Sequence, residues 1–180
     1  MAMTVFDLIP PVASRRCQRP VGPYPMPELV YFIQKITFHA GINVRTALVA
    51  LIYLNRAKEA LPKNAVGGYD TCHRLFLASI LLASKMLRDT TWCPSSNPNQ
   101  WLLSSVPSTW SHYYSFHSAN VYCHSQLTNR RLCDMCGGLY TVEDINQLER
   151  AFLKLIQYRC WVDDQDVSDF VLKHRVDLSL

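Results

Sequence analysis

Two side chains stand out for what they could do together. Lys85 lies in Leu-Leu-Ala-Ser-Lys-Met-Leu (81–87), and Glu149 lies in Gln-Leu-Glu-Arg-Ala-Phe-Leu (147–153). Each interrupts a stretch that is otherwise apolar at helical spacing. A charge at the edge of a buried stripe is costly unless it is paired or put to use. An ammonium and a carboxylate so placed can pair with each other and present hydrogen-bonding groups to a partner. The plain alternative is two solvated charges at the borders of their stripes.

A second cluster offers metal chemistry. Cys133-x-x-Cys136 has zinc-ligand spacing, and Cys123-His124 could supply the remaining ligands. The adjacent Cys-His pair is awkward, because neighbouring side chains would both have to reach one tetrahedral ion. The reading adopted therefore assigns no metal and no cofactor, and keeps a zinc-stabilised interaction module as the alternative. His112 and His117 are expected to be exposed loop residues. The sequence has no Gly-rich phosphate loop, no nucleophile elbow and no carboxylate pair placed for acid–base work, so no catalytic residue and no enzyme is expected.

The elements that must position these residues are helical. Leu29, Phe32, Ile33, Ile36 and Ala40 follow one helical face, with Pro27 suited to the first turn and Gly41 to the stop. Tyr31, Phe32 and Lys35 on this helix are candidates for a partner surface, against a simpler reading as core and rim. Asn43 is a plausible cap for a second helix that is apolar around much of its circumference. Asp70 or Thr71 opens a third, in which Leu75 to Ser84 carries no charge before Lys85. Such a helix suits the centre of an all-α domain. Thr141 and Asp144 approach a capping box ahead of Ile145, Leu148, Phe152, Leu155 and Ile156. Asp163 or Asp164 opens a last short helix. Trp161 is expected to pack against the end of the helix before it. Cys72 and Cys160 are expected to be buried or half-buried structural thiols.

Composition narrows the partners. The 180 residues are 49% hydrophobic and 18% charged, enough apolar mass for one core. The net charge of +4 is spread without a Lys/Arg run longer than two, which argues against direct nucleic-acid binding. Apolar runs such as Ala47–Leu54 are too short to cross a bilayer, and the N-terminus does not have the pattern of a signal peptide. Seven cysteines, an odd number, suit a reducing compartment. The expected location is the nucleus or cytoplasm.

Leu48 to Arg56, His73 to Lys85 and Tyr140 to Leu153, read together, resemble the cyclin box. The likeness is to fungal cyclins that pair with the phosphate-responsive class of cyclin-dependent kinase. With the first helix it covers roughly residues 27–92 and 139–172. The resemblance implies a single cyclin box, a five-helix bundle around a buried third helix. It implies a regulatory subunit that binds a cyclin-dependent protein kinase and holds its C helix in the active position. The family's invariant Lys and Glu fall on Lys85 and Glu149, which the resemblance places at the kinase-facing surface.

The resemblance is interrupted. Residues 1–25 read as a flexible, proline-rich arm, 26–172 as the cyclin-box domain and 173–180 as a tail. Within the domain an irregular insertion is expected at about 102–136. The family's fourth helix is opened by an Asn with a Trp behind it, which Asn97 to Trp101 resembles. Beyond it no helical period is evident until Gly138-Leu139-Tyr140. Two readings stand: a segment foreign to the box, such as a retained intron, or a genuine loop insertion. In either case the fourth helix is expected to be damaged or shortened.

Overall fold

The computed structural model describes residues 26–62, 64–89 and 127–175. Six α-helices run through them: α1 (Leu29–Ala40), α2 (Val44–Ala60), α3 (Thr71–Asp89), α4 (Asn129–Met135), α5 (Val142–Leu155) and α6 (Asp164–Lys173). The all-α class is as read from the sequence.

Local chemistry explains most of the boundaries. Gly41 ends α1 in the left-handed conformation at φ 61°, and the Gly41 and Ile42 amides return to the Phe38 and Thr37 carbonyls. Asn43 caps α2 by accepting from the Thr46 amide at 2.8 Å. Thr141 and Asp144 form a full capping box on α5, and Asp163 and Asp166 form another on α6. Pro27 departs from expectation: α1 begins two residues later with Glu28 as its cap. The Pro27 carbonyl instead accepts from His73 Nε2 at 2.9 Å, which ties the entry of α1 to α3.

The core sits around α3, which packs on α1, α2, α4 and α5. Every residue of α3 from Phe76 to Leu82 is buried, as is every residue of α2 from Leu48 to Leu54. Phe32 on α1 meets His73 and Phe76 edge-on, with ring centroids 5.0 and 6.2 Å away. α6 lies against α2, where Arg45 reaches Asp164 at 2.7 Å.

Two expectations are corrected. The irregular segment does not extend to residue 136. Thr128 caps α4, Leu132 is fully buried, and Leu127 and Cys136 join the same core. Gly137 and Gly138, both at positive φ, then turn the chain toward α5. Residues 102–126 and the Asn97–Trp101 match lie outside the described residues, as does the arm at 1–25. The second correction concerns Trp161, which is 69% exposed rather than packed. Only its backbone is anchored, through a carbonyl that accepts from Arg56 at 2.8 Å.

Candidate functional site

Lys85 and Glu149 meet. The Lys85 ammonium donates to both carboxylate oxygens of Glu149, at 2.7 and 2.9 Å. The α3–α5 packing delivers this geometry. Leu81, one turn before Lys85, and Ile145, one turn before Glu149, are almost fully buried, so each charge stands one turn from the core on helices that pack together. The side chains keep 26% and 17% of their surface, so the pair is desolvated on one side and accessible on the other.

A third residue completes the site. Asn129, the first residue of α4, accepts from Lys85 Nζ through Oδ1 at 2.7 Å. Its Nδ2 donates to Glu149 Oε2 and to Asn146 Oδ1, both at 2.8 Å. Lysine only donates and an ionised carboxylate only accepts, so the amide can take one orientation here. Lys85 Nζ has three oxygen atoms within hydrogen-bond distance. Glu149 receives three hydrogen bonds against roughly four acceptor positions, and retains capacity for a donor from outside.

Asn129 and Asn146 were not singled out in the sequence, because Asn129 falls inside the stretch read as irregular. A weak signal was present. Thr128 is a good cap residue, Leu132 and Cys136 recur four apart behind it, and Gly137-Gly138 makes a stop.

The other candidates do not join this cluster. Phe32 belongs to the core, Tyr31 points outward at 59% exposure, and Lys35 is half-buried near Gly137. Cys133 donates its thiol to the Tyr140 carbonyl at 3.1 Å. Burial, followed by the neighbouring Cys133, pushes the Cys136 thiol up to about 12. Cys123 and His124 lie outside the described residues. Among the described residues no three His, Cys, Asp or Glu side chains are grouped to hold a metal ion. Cys72 and Cys160 are half-buried, with thiols raised by burial. No helix of the described residues is long and apolar enough to cross a membrane.

A bundle wrapped around one buried helix, with a Lys–Glu pair where that helix meets α5, is the arrangement that the resemblance to the cyclin box implies. The family model described as cyclin, N-terminal domain, matches residues 17–160, and the chain belongs to the cyclin family. It is similar to three proteins of Saccharomyces cerevisiae. PHO85 cyclin-1 is 28% identical over 142 residues, covering 79% of this chain and 38% of that protein. PHO85 cyclin-9 is 23% identical over 158 residues, covering 88% and 40%. PHO85 cyclin-2 is 33% identical over 67 residues, covering 37% and 22%. The chain thus spans less than half the length of each relative. No solved structure matches it.

Proposed function

We propose that this chain is a regulatory subunit that binds and activates a cyclin-dependent protein kinase. The observation that carries the reading is the Lys85–Glu149 pair, closed at 2.7 Å on a cyclin box and still open to solvent. The names of the similar yeast proteins support the choice of partner.

The chemistry of phosphoryl transfer gives such a subunit its leverage. A protein kinase is active only when a strand lysine pairs with a glutamate of its C helix, so whatever holds that helix controls the reaction. A protein that binds only the active arrangement shifts the population toward it. In this reading the α3–α5 seam is the docking face. The Lys85–Glu149 pair hydrogen-bonds backbone groups around the kinase C helix, and the kinase brings its own nucleotide and magnesium. The chain itself contributes no catalytic residue or cofactor, and acts in the nucleus or cytoplasm.

The test is co-purification of the full chain with cyclin-dependent kinases of its host, beside Lys85→Ala and Glu149→Ala. A docked partner would bury the pair fully, and one unpaired charge left in such an interface costs about 3–5 kcal/mol. Both variants are expected to lose the kinase while keeping wild-type helical circular dichroism. Capture of kinase at wild-type yield by either variant would overturn the role of the pair.

A further inference from the structure

We infer that Asn129 is the positioning residue of the docking site, holding the Lys85–Glu149 pair in the one geometry a kinase can meet. The inference rests on the functional reading above and names a residue that reading does not need. Without Asn129 the pair has many alternatives. Lysine has four rotatable side-chain bonds and glutamate three, and at their partial exposure water competes for every donor and acceptor. An ion pair with one side open to water has several geometries of similar energy.

Asn129 removes that freedom from both ends. One short amide accepts from the ammonium and donates to the carboxylate, closing a three-membered polar ring with contacts of 2.7–2.9 Å. The same nitrogen also donates to Asn146, one turn before Glu149 on α5. The amide is itself fixed by its place in the chain. Thr128 caps α4 through the Arg131 amide, and the fully buried Leu132 anchors the helix in the core. The site therefore draws on three helices, and α4 is part of it rather than a spacer.

Asn129→Ala separates this role from a merely structural one. Alanine is the strongest helix former, and position 129 is only partly buried. The substitution leaves α4 at least as stable. It deletes both donors, however, and with them the acceptor that Lys85 uses, while adding no charge beside the ammonium. Two measurements are made on the full chain. One is the rate of Lys85 modification by acetic anhydride, normalised to the exposed Lys58. The other is the affinity of the captured kinase, in the wild-type and the Lys85→Ala backgrounds.

Asn129→Ala is expected to raise Lys85 labelling severalfold with little change in thermal midpoint. It is expected to weaken kinase binding about tenfold, the size of one hydrogen bond to a charged group. In the Lys85→Ala background it should add little, because the two changes act on one unit. Unchanged Lys85 labelling, or a loss of affinity that simply adds to that of Lys85→Ala, would overturn the inference. If the wild type captures no kinase, the docking reading falls, and labelling alone decides whether Asn129 holds the pair. If Asn129→Ala fails to fold, Asn129→Leu, which likewise has no polar side-chain atom, is read in the same way.

Discussion

Deleting residues 102–126 is expected to leave the helical domain folded with its Lys–Glu pair closed. Extending the deletion to 136 is expected to unfold it. The first half of this prediction is a matter of reach. Lys85 Nζ touches Asn129 Oδ1, so the two backbones are within about 12 Å, and Asp89 and Leu127 within about 25 Å. Residues 90–101 remain to join them, and twelve extended residues span about 40 Å. The second half is a matter of burial. The longer deletion removes Leu127 and Leu132, 5% and 0% exposed, together with Cys136 at 2%. Each buried leucine lost costs about 3–5 kcal/mol with its cavity, and the cysteine adds to this. The sum equals the whole stability of an ordinary domain, about 5–15 kcal/mol. Circular dichroism with urea titration reads both variants. A cooperative transition in the 102–136 deletion, with a midpoint near that of the intact chain, would refute the placement of α4 in the core.

Two smaller predictions follow. Thr141→Ala removes one half of the α5 capping box and should lower stability by about 1 kcal/mol in urea, with Asp144→Ala in the same range. His73 is held below its ordinary value of 6.5, chiefly by desolvation, against opposing contributions from the Pro27 carbonyl and Asp70. The unfolded chain therefore takes up this proton first as pH falls, so stability is complete above 6.5 and declines below it. Thermal midpoints between pH 7.5 and 5.5 should fall more steeply in the wild type than in His73→Gln. Parallel slopes would remove His73 from the account.

Legibility in the sequence followed the strength of local signals. The stripes of α1, α2, α3 and α5 were long and periodic, and Asn43, Thr141 and Asp163 are caps with a direct physical reason. Lys85 and Glu149 were visible because each breaks an apolar run. Their partner Asn129 was not, since α4 is only seven residues long and holds one fully buried leucine between arginines and cysteines. So short a helix has almost no period to detect, and tertiary contacts rather than propensity keep it. Trp161 was misplaced for a related reason. Its surroundings are set by a corner whose anchors, Tyr53 and Arg56, lie on α2 and leave no mark near residue 161.

That corner has a consequence for the order in which the molecule comes together. Gln157 and Tyr158 both adopt left-handed backbone angles, φ 56° and 57°, without being glycine. The strain is held by Tyr53 donating to the Cys160 carbonyl and Arg56 to those of Arg159 and Trp161. These contacts join residues more than a hundred positions apart. A growing chain thus makes α2 early and waits for nearly the whole box before the corner can close. Until then α2 keeps an apolar flank uncovered, a period of exposure in which a chaperone would find its binding surface.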